Sequence, residues 1–135
     1  MEEQLISFDT AKLAKEKGFN IPTISYYSPK GRSEESEGYM TERLESSNWN
    51  DGQGSYPTHA KDVECSAPTQ SLLQKWIREV HNISIKIDDF YTNGKLRFDF
   101  SVSELGSQDD NPKGIFEIYE EALEMALFEA LKLIK

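Results

Sequence analysis

The sequence contains a single cysteine and no long uninterrupted apolar segment. Because a disulfide needs two cysteines, Cys65 cannot belong to the internal disulfide framework that small secreted domains use. The first residues also lack the basic start and the apolar run of a secretory signal. No apolar run approaches the ~20 residues that a membrane-spanning helix needs. We therefore expect a cytoplasmic protein that has no membrane partner.

Basic residues are outnumbered by acidic ones. The chain has 15 lysines and arginines against 24 aspartates and glutamates, which gives a formal net charge of −9. Nucleic acids are bound chiefly through contacts of lysine and arginine with phosphates, so this balance argues against direct binding of DNA or RNA. The same charge favours partners that are basic.

The sequence also lacks the short motifs that indicate a reaction or a cofactor. It contains no glycine-rich phosphate loop, no serine nucleophile elbow and no metalloprotease helix. Two histidines and one cysteine, without a close ligand pair, do not make a zinc site. We therefore predict no catalytic residue, no cofactor-binding residue and no metal ligand, and an enzymatic activity is left open only as an alternative.

The clearest local pattern is a helix that precedes a hairpin in residues 69–102. Thr69 can cap the first turn of this helix, because its hydroxyl accepts a hydrogen bond from one of the free N–H groups there. Apolar residues then recur with helical spacing and predict one buried stripe, which consists of Leu72, Leu73, Trp76, Ile77 and Val80.

Two strands with a tight turn between them follow this helix. Apolar residues alternate with polar ones in residues 83–87 and again in 98–102, which is the period of a strand with one buried face. The Asn93-Gly94 pair between the two strands suits a type I′ turn, because both central residues of that turn take a positive φ. The segment therefore predicts an antiparallel hairpin.

The turn also predicts the register of the hairpin. If Thr92 pairs with Lys95, then Ile87 falls opposite Phe100. In this register every large apolar residue of the two strands except Phe90 lies on one face. That face should pack against the helices.

The remaining segments complete an α+β pattern. Periodicity and turn residues predict a helix capped by Ser7, strands at 23–27, 37–43 and 115–118, and a helix at 119–134. In chain order the elements are helix, two strands, a long loop, helix, three strands and helix. We predict a single two-layer α+β domain over residues 1–135, with one antiparallel sheet and the helices packed on one of its faces.

Residues 28–66 form a long polar and acidic segment, rich in serine, glutamate, glycine and asparagine. The composition fits either a disordered linker or an ordered surface loop beyond the predicted strand. Loops of this length are uncommon in compact domains, and when ordered they are often functional. We expect an ordered loop and regard it as the best place to look for activity.

Parts of the chain resemble a known group of proteins. The matching residues are 5–19, 67–83, 119–124 and 129–134. They resemble small hypothetical proteins from gut Bacteroidetes and from their prophages or mobile elements, and together they cover about a third of the chain. Ile118 departs from the group, which usually has a capping residue there. The resemblance implies a phage or mobile-element origin and implies no catalytic residue, since the group has no assigned activity.

The predicted register brings like charges together on the outer face of the hairpin. Asp88 falls opposite Asp99, which is destabilising unless a cation compensates the pair. Lys86 and Arg97 are diagonal neighbours that can supply positive charge, and a divalent metal is the alternative. A hydrolase or nuclease that uses a divalent metal on Asp88, Asp89 and Asp99, or on the acidic loop, is therefore the second functional hypothesis.

Three apolar side chains have no evident place in the core. Phe128 falls among the charged residues of the last helix at ~100° per residue, and Met125 is its neighbour. Trp49 lies in the polar segment with an asparagine on each side. Either the chain folds over these residues, or they contact a protein partner or a second copy in a homodimer. They are the predicted partner-binding residues of a non-enzymatic interaction or accessory protein, the function that we favour.

Overall fold

The computed structural model describes residues 4–27, 40–47, 50, 65–104 and 113–134. Within these residues the chain forms three helices and six strands, in the order α1 (Phe8–Glu16), β1 (Thr23–Tyr27), β2 (Met40–Ser47), β3 (Cys65–Ser66), α2 (Gln70–His81), β4 (Ile83–Thr92), β5 (Lys95–Glu104), β6 (Lys113–Phe116) and α3 (Tyr119–Leu133). The predicted α+β class and the predicted order of helices and strands are confirmed, and the short strand β3 is an addition.

The strands form two antiparallel sheets, whereas the sequence predicted one. In the first sheet β1 lies between β2 and β3, and in the second β5 lies between β4 and β6. Each central strand therefore has both of its edges paired. Turn and periodicity signals predict the neighbouring strands of a hairpin, but they do not show which hairpins share a sheet.

The chain divides into two compact units. The N-terminal unit comprises Leu5–Thr69 and contains α1 and the first sheet. The C-terminal unit comprises Met1–Gln4 and Gln70–Lys135 and contains α2, α3 and the second sheet. That the chain folds as a single domain over residues 1–135 stays a prediction.

Helix α1 begins where the sequence predicts. A backbone N–H of its first turn donates to the Ser7 hydroxyl at 3.3 Å, so Ser7 is the N-cap. Phe8, Ala11 and Ala14 are buried on one side of the helix. The Phe8 ring packs edge-on against Tyr27 of β1, with 5.4 Å between the ring centroids. This apolar side connects the helix with the first sheet.

Side chains hold the N-terminal unit together around β1 and β3. Asn50 Nδ2 donates to the carbonyl of Phe19 at 2.9 Å, and the backbone N–H of Ser66 donates to Asn50 Oδ1 at 2.8 Å. The hydroxyl of Tyr27 donates to the carbonyl of Ile6 at 2.6 Å. Because β3 has only two residues and depends on such distant contacts, no periodicity in the sequence could predict it.

The hairpin of β4 and β5 has the predicted register. Ile87 pairs with Phe100, and the pairing continues without a shift along both strands. Asn93 and Gly94 have φ angles of 52° and 75°, as a type I′ turn requires. The turn prediction and the register prediction are therefore both confirmed.

The two faces of this hairpin carry different side chains. Neighbouring residues of a strand point to opposite faces, so one face carries odd-numbered residues of β4 and even-numbered residues of β5. We name it the isoleucine face, and it carries Ile83, Ile85, Ile87, Asp89, Tyr91, Leu96, Phe98, Phe100, Val102 and Glu104. Charged and hydroxyl side chains dominate the opposite face.

Replacement of Gly94 by valine is expected to lower the free energy of unfolding by about 1–2 kcal/mol, because a β-branched residue resists a positive φ. Among the described residues, and apart from the chain neighbours of Gly94, no atom lies within 4 Å of a Cβ placed there, so backbone strain should be the dominant effect. Gly94→Asn is the matched control, because asparagine tolerates this conformation. Urea denaturation measures both variants. If the valine variant is as stable as the asparagine variant, the assigned turn is wrong.

Helix α3 buries its whole apolar stripe, whereas α2 buries three of the five residues of its predicted stripe and leaves Leu72 half-buried. In α3 and at its end the whole stripe is buried, namely Leu123, Ala126, Leu127, Ala130 and Ile134. In α2, Leu73, Trp76 and Ile77 are buried, whereas Val80 is 56% exposed. The prediction of Val80 as a core residue is wrong, because helical spacing gives the direction of a side chain but not the extent of the elements beside it.

Two strand boundaries differ from the prediction. β2 (Met40–Ser47) continues past the predicted end at residue 43, while residues 37–39 of the predicted strand lie outside the described residues, and β6 spans Lys113–Phe116 rather than 115–118. The register between β5 and β6 shifts near Gly114, which has a φ of 76° and where a Cβ would collide with the Phe116 ring. A β-bulge of this kind depends on a glycine with positive φ, which hydropathy does not reveal.

Candidate interaction surface

The hairpin of the C-terminal unit is longer than the helices of that unit. β4 and β5, with 10 residues each, span about 33 Å, whereas α3, with 15 residues, spans about 22 Å and α2, with 12 residues, about 18 Å. Helices of these lengths do not cover the whole isoleucine face. The face is buried at Ile83 and Phe100, whereas its end beside the turn is exposed at Tyr91 and Leu96.

Four apolar side chains form a continuous patch at this end of the isoleucine face. Tyr91 and Leu96 face each other across the hairpin, and they are 77% and 38% exposed. Phe98 follows Leu96 on the same face of β5, and its ring packs edge-on against that of Tyr119, with 5.8 Å between the centroids. Tyr119 is the first residue of α3 and is 43% exposed. We name Tyr91, Leu96, Phe98 and Tyr119 the tip patch.

Negative charge borders the tip patch. Asp89 lies on the isoleucine face directly opposite Phe98, and it is exposed. Glu120 and Glu121 follow Tyr119 in the first turn of α3. The opposite face carries the cations of the hairpin, which are Lys86, Lys95 and Arg97. The tip patch therefore combines aromatic surface with an acidic border.

The opposite face carries the two aspartates that the sequence analysis paired. Asp88 lies opposite Asp99, as predicted. Lys86 Nζ lies 3.9 Å from a carboxylate oxygen of Asp88, whereas Arg97 pairs with Glu117 at 3.4 Å. The prediction that Lys86 supplies positive charge to the pair of Asp88 and Asp99 is confirmed. Compensation by Arg97 stays a prediction, since the ion pair of its guanidinium group is with Glu117, which the segment after β6 brings beside it.

The three aspartates of the metal-enzyme hypothesis do not converge. Asp89 lies on the isoleucine face, whereas Asp88 and Asp99 lie on the opposite face, because neighbouring residues of a strand alternate. Within the described parts of the chain, no group of three or more His, Cys, Asp or Glu side chains could hold a metal ion. The geometry of this hairpin therefore gives no support to divalent-metal chemistry.

The predicted partner-binding residues differ in their surroundings. Met125 is 43% exposed on α3. Phe128 is half-buried, and the ammonium group of Lys132 lies 5.6 Å from the centroid of its ring. Lys132 also forms an ion pair with Glu129 at 3.1 Å, so the charged side chains of α3 shield part of the ring. That Met125 and Phe128 bind a partner stays a prediction.

The polar segment 28–66 is described only in part. β2, Asn50 and β3 are its described residues. The prediction of an ordered functional loop, and Trp49 with it, otherwise lies outside the described residues.

The tip patch was not among the surfaces predicted from the sequence. The predicted register already places Tyr91 opposite Leu96 on the apolar face of the hairpin. A helix rises about 1.5 Å per residue and a strand about 3.3 Å, so each predicted helix is shorter than a hairpin strand that runs to the Asn93-Gly94 turn. The difference in length between the hairpin strands and the helices was therefore the sequence feature that pointed to this surface.

Comparisons with known proteins assign no family to the chain. No protein-family model matches it, and no curated protein and no solved structure matches it. None of the described helices has the length and the apolar character that crossing a bilayer requires.

Proposed function

We propose that this chain is a non-enzymatic interaction protein, an accessory factor that binds a protein partner through the tip patch. The observation that carries the proposal is the exposure of Tyr91 and Tyr119, at 77% and 43%, on one continuous apolar surface. Single exposed apolar residues are common on any protein surface, whereas neighbouring exposed aromatic residues are typical of interfaces.

The tip patch is built on regular secondary structure. Leu96 and Phe98 belong to β5, the central strand of its sheet, and Tyr119 begins α3. Tyrosine presents a large contact area with few rotatable bonds, so little conformational entropy is lost when it binds. Because the patch does not depend on the ordering of a loop, most of its contact energy is retained on binding.

The proposed role has a cytoplasmic setting and a basic partner. Cys65 is the one cysteine and has no exposed surface, which suits a reducing compartment. The net charge of −9 favours a basic protein over a nucleic acid. The resemblance to small proteins of prophages and mobile elements supports an accessory role within such an element.

Capture of partners from a lysate of the source organism, with matched variants, tests the proposal. The double variant Tyr91→Ser with Leu96→Ser removes most of the exposed apolar area of the tip patch. We expect the wild-type chain to capture a defined protein and the double variant to lose it. Ile24→Ser is the control, because it removes a 49% exposed isoleucine of the N-terminal unit. Calorimetry with the purified partner then gives the affinity of each chain.

Met125→Ser distinguishes the tip patch from the exposed surface of α3. If this variant loses the partner and the double variant retains it, the interface lies on α3 and the tip patch is not the binding surface. A partner that binds the wild type and the double variant with equal affinity would also overturn the proposal. Thermal unfolding checks that the variants are folded, since substitutions at exposed positions should each cost less than about 1 kcal/mol.

A further inference from the structure

We propose that the outer edge of β4 binds an extended segment of a basic protein, which adds antiparallel to β4 as a further strand of the sheet. This inference rests on the proposed function and deepens it. It specifies backbone hydrogen bonds as the source of affinity and two side chains, Asp89 and Tyr91, as the source of selectivity.

Every second residue of β4 directs its backbone groups away from β5. Next to a two-residue turn, the closing pair Thr92 and Lys95 exchanges both of its hydrogen bonds. Bonded and non-bonded pairs alternate along an antiparallel ladder, so Ile87, Asp89 and Tyr91 direct their N–H and C=O groups to the outer edge. Among the described residues, no strand pairs with this edge.

The open part of the edge is limited at its inner end. Gln74 Nε2 donates to the carbonyl of Ile85 at 3.4 Å, so a side chain of α2 occupies the edge there. Residues 87–91 lie between this contact and the turn. They span about 17 Å, which is the length of a typical short strand.

The side chains along this stretch favour a segment with basic and apolar residues. Asp89 and Tyr91 lie two residues apart on the isoleucine face. An added strand alternates in the same way, so two of its side chains on that face lie beside Asp89 and Tyr91. A basic residue is favoured at the position beside Asp89. An apolar residue is favoured at the position beside Tyr91, because Tyr91 is continuous with the tip patch.

The carboxylate of Asp89 also selects against other strands. Charged residues on an edge strand prevent indiscriminate pairing, because an apolar or acidic strand leaves the charge uncompensated or repelled. A basic strand gains an ion pair at the same position. On the opposite face Asp88 is paired with Lys86 at 3.9 Å, so the selection comes from Asp89. The edge is therefore protected against most strands and open to basic ones.

A second copy of this chain is a poor occupant of the edge. Antiparallel pairing of two β4 edges offers Asp89 no cation, because pairing centred on any of residues 87 to 91 places Ile85, Ile87, Asp89, Tyr91 or Asn93 opposite it. Pairing centred on Ile87 would engage Ile85, whose carbonyl already accepts a hydrogen bond from Gln74. Two chains with a net charge of −9 also repel each other.

The test uses a capped heptapeptide with lysine at its centre, valine two positions to either side and threonine elsewhere. On titration into the full ¹⁵N-labelled chain, we expect saturable NMR shifts and slower hydrogen exchange at the amides of Ile87, Asp89 and Tyr91. N-methylation of the two valines removes two backbone donors and keeps the side chains and the charge. The affinity should then fall by about tenfold or more, since each hydrogen bond contributes about 1 kcal/mol.

A charge-reversed peptide and two variants complete the experiment. The peptide with glutamate at its centre should bind about tenfold more weakly than the lysine peptide. Asp89→Asn keeps the backbone N–H and should reduce this difference between the two peptides. Asp89→Pro removes the outward N–H, which an edge strand tolerates, and should abolish binding of the lysine peptide.

Three outcomes would overturn the inference. Equal affinities for the methylated and unmethylated peptides would exclude strand addition, even if Asp89→Pro fails to fold. Tighter binding of the glutamate peptide would exclude a basic partner. A homodimer that Asp89→Pro dissociates would make a second copy the occupant. In each case, loss of partner capture by the variant Tyr91→Ser with Leu96→Ser would still support the proposed function, so the two failures are distinguishable.

Discussion

Leu127→Ala is expected to lower the free energy of unfolding of the C-terminal unit by about 2–5 kcal/mol. Leu127 has no exposed surface, and the helix that carries it contacts α2 and the three strands of the second sheet. The substitution removes buried apolar area and leaves a cavity, because closely packed neighbours relax only in part. Urea denaturation followed by circular dichroism measures the loss.

Leu133→Ala is the matched control for this effect. It makes the same chemical change in the same helix, but Leu133 is 42% exposed. Its cost should be about 1 kcal/mol or less, because most of the removed area is already in contact with water. Equal losses for the two alanine variants would contradict the assigned orientation of α3.

Asn50→Ala is expected to destabilise the N-terminal unit by about 2–4 kcal/mol. The amide of Asn50 bonds the carbonyl of Phe19 and the N–H of Ser66. Phe19 and Ser66 are both buried, so truncation leaves two backbone groups without these bonds and poorly accessible to water. Thermal and urea unfolding, monitored by near-ultraviolet circular dichroism, measure the change.

Asn20→Ala provides the comparison for Asn50. Asn20 is exposed and directly follows Phe19, so its replacement should change stability by less than about 0.5 kcal/mol. If both alanine variants unfold at the same urea concentration, Asn50 does not form the two hydrogen bonds that connect Phe19 with β3.

The hairpin shows how far local signals reach. The positive φ angles that Asn93 and Gly94 tolerate, together with the alternation of isoleucine with polar residues, were sufficient for a full register. The stripe of α3 was predictable for a similar reason, since its spacing and its burial concern residues within a few turns of one another. Val80 shows the limit, because its exposure depends on where other elements end.

The candidate interaction surface was only partly predictable. The sequence drew attention to Met125 and Phe128, because each interrupts the polar side of a helix. Tyr91 and Leu96 do not interrupt a polar pattern. They continue the apolar alternation of their strands and therefore resemble core residues in the sequence. Their exposure follows from a difference in length between the strands and the helices, which no single element contains.

By itself the sequence determined the α+β class, the order of the elements, the capped start of α1 and the register of β4 with β5. These depend on hydrogen bonds and side-chain spacing between residues close in the chain. Only the tertiary structure decided that the strands form two sheets, that Asn50 anchors β3, and that the tip of the hairpin is left uncovered. The physical reason is that strand pairing beyond a hairpin, and burial itself, depend on contacts between residues far apart in the sequence. A local sequence pattern does not specify such contacts.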